Sequence, residues 1–404
     1  MKQYLTVLFI LLGSIAMAQA NGNTNSAPAK VKAKTYSNNM EPAVLEELVV
    51  PANSRESEKV LLNKSSKELD VIEVESKTKL RAKKDAKAQK IQLGKASFTK
   101  TRSSASHQSY SRSPQPAQQV QMNNVVANYK KNAPNSFEYH YFKYVSGNYN
   151  TAWYSHLQKA KKYKPNNLDV ATQLAAYHFI MKQESALKTQ LELLYKSGKI
   201  EKDLLTYGQH LLQGVEKNGV LITHGFDDTY AILYVQKVKK HRTDVKLISL
   251  DFIQSQQFKK ELGKQGFTIP HTTAIDVAFL SAFCKANKQK NIYLSLTIPK
   301  PYLKPLVAQL SVLGLSFKYG SDEVILYGKQ RTSLHDRNEK LWNSYKANNM
   351  VYAYTYEGVK RLSSNYLPLL YSLKSTYQQR NEKTKLSEIE KAIAKIRVQS
   401  KRHK

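Results

Sequence analysis

The chain has 404 residues, 41% of them hydrophobic, a formal net charge of +32 and a pI near 9.8. That length suits two or three domains with a buried core, and the charge predicts attraction to polyanions or anionic surfaces. The single cysteine, Cys284, excludes an intrachain disulfide framework and any multi-cysteine metal site.

Residues 1–20 read as a signal peptide. Lys2 supplies the positive start, Tyr4 to Ile15 the apolar stretch, and Ala18-Gln19-Ala20 an A-x-A cleavage site. The apolar stretch is short for a membrane span, and no later segment approaches the required length. The expected localisation is therefore periplasmic or secreted, with no integral span after cleavage. An exported protein meets lipopolysaccharide, peptidoglycan and anionic lipid, so these suit its charge better than nucleic acid does.

Residues 21–131 are rich in Lys, Ser, Ala, Asn and Gln and poor in large apolar side chains, the composition of a disordered arm. Residues 30–75 hold 7 basic and 9 acidic side chains. Residues 76–131 hold 13 basic side chains against Asp85 alone. A solvated tether and an electrostatic arm on an anionic cell surface both fit this pattern.

Residues 132–215 are expected to be helical. Ser146-Gly147-Asn148-Tyr149-Asn150-Thr151-Ala152, then Ala160 and Lys164-Pro165, resemble a tetratricopeptide unit. Two more helices are expected, Asp169 to Met181 and Glu184 to Tyr195. Two helix pairs fall short of a free-standing solenoid, so this bundle should pack on the next domain.

Residues 216–330 read as an α/β domain: a small doubly wound, mainly parallel sheet with an antiparallel edge. Val220 to Thr223 is a strand, the helix after it begins near Phe226-Asp227-Asp228, and Arg242-Thr243-Asp244 turns into a strand over Val245 to Leu250. Helices follow over Gln254 to Gln265 and Thr273 to Asn287, then a strand over Asn291 to Leu296. A helix is expected over Tyr302 to Leu313, ended by Gly314. Leu315 to Tyr319 and Glu323 to Tyr327 read as strands of one hairpin turned by Gly320-Ser321-Asp322.

Residues 331–404 return to helix. Trp342, Tyr345, Tyr352, Tyr354 and Tyr356 offer aromatic packing, and Tyr366 to Leu373 is an apolar face. Leu386, Ile389, Ala392, Ile393 and Ile396 line one side of a last helix before a basic tail.

In a parallel sheet, ligands meet the carboxyl ends of the strands. His224, Gly225, Asp227, Asp228 and Thr229 belong there, and Asp251 ends the second strand. Gly225 permits a sharp turn; Asp227 and Asp228 have the chemistry to ligate a hard cation or hydrogen-bond a sugar, but helix capping is the favoured role for them. No phosphate-loop or dinucleotide motif is present, and His210, His224, His241 and His271 lack metal-ligand spacing, so no cofactor and no metal are expected. No nucleophile–base arrangement emerges from spacing, and Cys284 sits in an apolar helical stretch suited to core packing.

Gly225-Phe226-Asp227-Asp228-Thr229, Arg242-Thr243-Asp244-Val245 and the stretch Asn291 to Tyr319 occur in the order found in one known family. Over roughly residues 218–330 the chain resembles the extramembrane C-terminal region of bacterial multi-span proteins similar to protein O-mannosyltransferases. Two positions of the turn depart from that pattern: Phe226 replaces an acidic residue and Asp227 an asparagine. The resemblance implies the accessory domain without the membrane half that holds such a transferase's catalytic acid. The expected function is a non-catalytic exported envelope protein that binds a protein or glycan partner. The alternatives are an accessory subunit or enzyme of envelope glycan or glycoprotein assembly, with Asp227 and Asp228 as working carboxylates, and an electrostatic tether to an anionic cell surface.

Overall fold

The computed structural model describes residues 91–320, 324–327, 330–347 and 359–401, with residues 78, 81, 88 and 89. The expected signal peptide, most of the expected basic arm, Tyr352, Tyr354 and Tyr356 lie outside the described residues.

The end of the expected arm is folded, contrary to its composition. Residues 91–131 are not an unstructured stretch. Helix α1 runs through residues 94–106 and α2 spans Pro116–Asn132. Phe98, Met122, Val126 and Tyr129 are buried, and Phe98 stacks on Phe142 at 4.1 Å. The stretch 103–119, rich in serine, glutamine and proline, contributes helix starts and turns. Pro116 opens α2 at the position where a missing N–H does no harm, and Gln118 reaches back to accept from the Gln115 N–H at 2.9 Å. Sequence composition hid this because few apolar residues, well spaced, are enough to bury one face of each helix.

Five helices follow: α3 (Phe137–Val145), α4 (Tyr154–Tyr163), α5 (Leu168–Ile180), α6 (Glu184–Lys196) and α7 (Lys202–Gly214). Ser136 caps α3 by accepting from the Tyr139 N–H, and Asn167 caps α5 by accepting from Asp169 and Val170. The bundle packs on the α/β domain as expected from its length: Phe179 lies 5.6 Å from Phe252 and 5.7 Å from Phe258.

The sheet has five strands in the order β2-β1-β3-β5-β4. β1 (Val220–Thr223) is flanked in parallel by β2 (Lys246–Ser249) and β3 (Ile292–Ser295), with Leu221 opposite both Leu247 and Tyr293. All four residues of β1 are buried, as befits a central parallel strand covered on both faces. Helices α8 (Phe226–Lys237), α9 (Gln256–Lys264) and α10 (Val277–Ala286) complete the crossovers. Arg242 shows why the Arg-Thr-Asp turn has its composition. Its guanidinium donates to the carbonyls of Leu212, Val215 and Glu216 at the end of α7 and to Asp244, so a cation closes the negative end of a helix.

The antiparallel edge differs from expectation in two ways. The helix expected over 302–313 is only α11 (Lys300–Leu303) and a 3₁₀ stretch, Lys304–Gln309; Leu310–Leu313 is strand β4. Pro305 withholds a helical N–H, and the chain then finds ladder partners in β5 (Ser316–Tyr319). Gly314, with φ +58°, is the first residue of a two-residue hairpin turn rather than a helix terminator. The strand β6 (Val324–Tyr327) does not pair with β5: it forms a separate two-stranded sheet with β7 (Gln330–Ser333).

The C-terminal helices are α12 (Leu334–Ala347), α13 (Leu367–Gln379) and α14 (Lys383–Lys401). They are built into the sheet domain. Asn338 accepts from the Gly314 N–H at 2.9 Å and donates to the Val312 carbonyl at 2.8 Å, while Tyr345 donates to the His210 carbonyl. One buried apolar cluster runs from Tyr149 to Ile396. Cys284 lies in it, fully buried, its thiol pushed up to about 12 by burial. That environment makes it inert.

Candidate functional site

The strand β1 ends at Thr223, and the chain must turn sharply into α8. Gly225 makes the turn with φ +93° and ψ −166°, a conformation open to glycine and strained for other residues. Nothing lies within 4 Å of where its Cβ would be, so the obstacle is the backbone alone. Gly225→Ala is expected to lower stability by about 1–3 kcal/mol without displacing a neighbour, measurable by urea denaturation.

Asp228 sits at the third helical position and is completely buried. Its Oδ2 accepts from the His224 N–H at 3.0 Å and from the Thr297 hydroxyl. It therefore ties the turn before the helix to the segment leaving β3. No side chain caps Gly225 itself, so Asp228 does not act as an N-cap residue; it reaches back across the turn. Burial pushes its carboxyl up to about 7, against the pull of the Thr297 hydroxyl and the His224 N–H. Asp227 is partly exposed and is pushed up to about 6, first by burial and then by Glu201.

Thr229 faces the sheet. Its hydroxyl lies 2.8 Å from that of Thr223 and 3.4 Å from that of Ser249, and Ser249 in turn accepts from the Asp251 N–H at 3.2 Å. Ser295 and Thr297 are joined at 2.9 Å. Two groups thus line the strand ends: Thr223, Thr229 and Ser249 at β1 and β2, and Ser295 and Thr297 with Asp228 at β3. Burial, then the Arg112 charge, holds His224 down to about 3, so its ring is neutral at neutral pH.

Asp251 meets a partner absent from the expectation. Arg112, 139 residues earlier, donates through Nε to Asp251 Oδ1 at 2.6 Å. The two side chains are 7% and 13% exposed. The same arginine donates to the Ser106 carbonyl, and its backbone N–H donates to the Ile275 carbonyl at 2.8 Å. Ser113 accepts from the Ile275 N–H at 2.9 Å, and Tyr302 donates to the Ile275 carbonyl at 2.9 Å. The segment 107–115, between α1 and α2, is therefore fastened to the carboxyl-end side of the sheet domain at two neighbouring points. Nothing local in the sequence pairs Arg112 with Asp251.

All six expected residues lie at one end of the sheet. Asp228 and Thr229 point into its interior, while His224, Gly225, Asp227 and Asp251 keep partial exposure. Several buried polar atoms on these same loops have no hydrogen-bond partner among the described residues: His224 Nε2 and Asp228 Oδ1 after β1, Gln254 Oε1 and Ser255 Oγ after β2, and Lys300 Nζ after β3. The five hold two acceptors, two donor-capable groups and one imidazole nitrogen, an assortment suited to hydroxyl groups rather than to a bare cation. Apart from this corner, His335, Asp336 and Glu339 on α12 bring ligand atoms within 4.8 Å of one another. Lys385 and the Tyr377 hydroxyl already occupy Glu339, at 2.7 and 2.8 Å.

The corner, the arginine turn and the antiparallel edge all fall in one matched stretch. Residues 204–399 match the family model of TMEM260-associated domain 2. TMEM260 is a protein O-mannosyltransferase-like membrane protein. The match begins in α7 and ends in α14, so the domain unit includes the C-terminal helices as well as the sheet. No curated protein and no solved structure matches the chain. Among the described residues, no helix is long and apolar enough to cross a membrane.

Proposed function

We propose that this is an exported, non-catalytic envelope protein that binds a protein or glycan partner through its helical bundle and α/β domain. The observation that carries the reading is the engagement of the corner's acids. Asp251 is neutralised by Arg112, and Asp228 is buried and bonded on one oxygen to two donors. A working carboxylate needs access to its substrate and a pKa matched to its task. Asp228 has the second and lacks the first; Asp227 and the arginine-paired Asp251 keep partial access.

A second reading is favoured by the matched domain: the chain is an accessory subunit acting beside a membrane glycosyltransferase in envelope glycoprotein assembly. The two readings share the binding role and differ in the partner.

The test uses the purified full chain with an envelope glycoprotein fraction. Co-sedimentation reports binding, and mass spectrometry of the glycans reports chemistry. The expected result is a complex whose glycan masses are unchanged. A change in glycan mass that disappears in the Asp227→Asn/Asp228→Asn variant would overturn the non-catalytic reading.

A further inference from the structure

The helices α2, α3 and α4 carry a second feature, remote in sequence from the strand-end corner. Helices α2 and α4 contain no acidic residue, and α3 contains Glu138 alone, which is paired with Lys164 at 3.2 Å. Against this stand Lys130 and Lys131 at the end of α2, Lys143 on α3, and Lys159, Lys161 and Lys162 on α4. Five of the six are exposed and Lys143 is half-buried, and among the described residues none has a carboxylate within ion-pair distance.

Three of the lysines, one from each helix, are near enough to act on the same groups. Burial and then Lys130 lower Lys143, and burial followed by Lys143 and Lys159 lowers His156. Aromatic rings are interleaved with them. Lys143 Nζ lies 3.6 Å from the Trp153 ring centre, Lys164 Nζ lies 4.1 Å from that of Phe137, and Tyr163 is 47% exposed.

We infer that this lysine and aromatic face is a docking surface for an anionic lipid bilayer. Three features favour a bilayer over a discrete ligand. The cations are all lysines, point charges on flexible stems, without the arginine forks that read a single phosphate or carboxylate. They are carried by three different helices. Tyrosine and tryptophan beside them suit the headgroup layer, where an amphipathic ring keeps its polar edge wet. The inference goes beyond the proposed function and does not depend on it, because it uses none of the corner's residues.

The experiment is sedimentation of the full chain with vesicles of phosphatidylcholine, with and without phosphatidylglycerol. The wild type is expected to bind the phosphatidylglycerol vesicles and to be released as ionic strength rises from about 0.05 to about 0.5 M. Removing charge should weaken partitioning roughly five-fold per lysine, so Lys159→Gln/Lys161→Gln/Lys162→Gln should lose on the order of a hundred-fold. These side chains make no ion pair among the described residues, and an unchanged melting temperature will confirm that the variant folds. Lys83→Gln/Lys84→Gln/Lys87→Gln, in the basic stretch before α1, removes equal charge elsewhere and should lose much less. Equal loss in the two variants would overturn the assignment to this face. So would wild-type binding to heparin that matches or exceeds binding to the vesicles, which would mark the partner as a soluble polyanion.

Discussion

Arg112→Ala is expected to destabilise the folded chain by about 3–5 kcal/mol, the usual consequence of leaving one partner of a buried ion pair alone. Asp251 is 13% exposed and accepts from the Arg112 guanidinium, so removal strands a carboxylate in a poorly solvated place. The loss should be shared with the backbone. Arg112 also donates to the Ser106 carbonyl, and its neighbour Ser113 accepts from Ile275, so the whole 107–115 segment should loosen. Urea denaturation gives the first effect, and limited proteolysis between residues 103 and 119 gives the second. The double variant Arg112→Met/Asp251→Leu should recover much of the stability, because two apolar side chains need no partner. If Arg112→Ala unfolds at the wild-type urea concentration, the pair contributes nothing and the segment is held by other contacts.

Asp228 makes the stability depend on pH in an unusual direction. A carboxyl whose folded pKa is raised binds its proton more tightly in the folded state than in the unfolded chain. Stability from this group is therefore greatest below the unfolded value near 4 and declines as pH rises toward its folded value of about 7. Above that the full penalty applies, at most on the order of 4 kcal/mol. Asp228→Asn cannot ionise and keeps an oxygen for the Thr297 hydroxyl and the His224 N–H. The difference in unfolding free energy between wild type and Asp228→Asn should thus shift in favour of the variant between about pH 4 and 7, where the two protonation states exchange. Asp227 is pushed the same way and adds a smaller, partly solvent-screened slope over the same window, so the comparison is made with Asp227 intact in both proteins. A difference that stays flat with pH would show that Asp228 is ionised at its ordinary value and that its burial is relieved.

The sequence made the parallel half of the sheet readable and left the rest obscure for identifiable reasons. Val220 to Thr223 and Ile292 to Ser295 are short apolar runs bounded by turn residues, and such runs become central strands because both faces are covered. The strand-end position of His224 through Thr229 followed from the strand–turn–helix pattern alone. Leu310–Leu313 was hidden because four apolar-rich residues after a helix start read as more helix; only pairing with Ser316–Tyr319 decides otherwise. Residues 91–132 were hidden by composition, since Phe98, Met122 and Tyr129 are too sparse to stand out among serines and glutamines. The Arg112–Asp251 pair spans 139 residues, and Thr297 reaches Asp228 across 69. Such contacts are products of topology, with no local periodicity to announce them. The Arg242 turn was legible as a motif, yet its role as a cation closing α7 required the helix end to be placed beside it.

The strand-end corner is fastened shut, and its acids serve as scaffold. Amide hydrogen exchange at Arg112, Ile275 and His224 tests this most directly. Their N–H groups donate respectively to the Ile275 carbonyl, the Ser113 hydroxyl and Asp228 Oδ2. Protection close to that of the β1 amides is the expected result. Free exchange at these three positions while β1 stays protected would mean an open corner with its carboxylates available for chemistry, and would contradict the account.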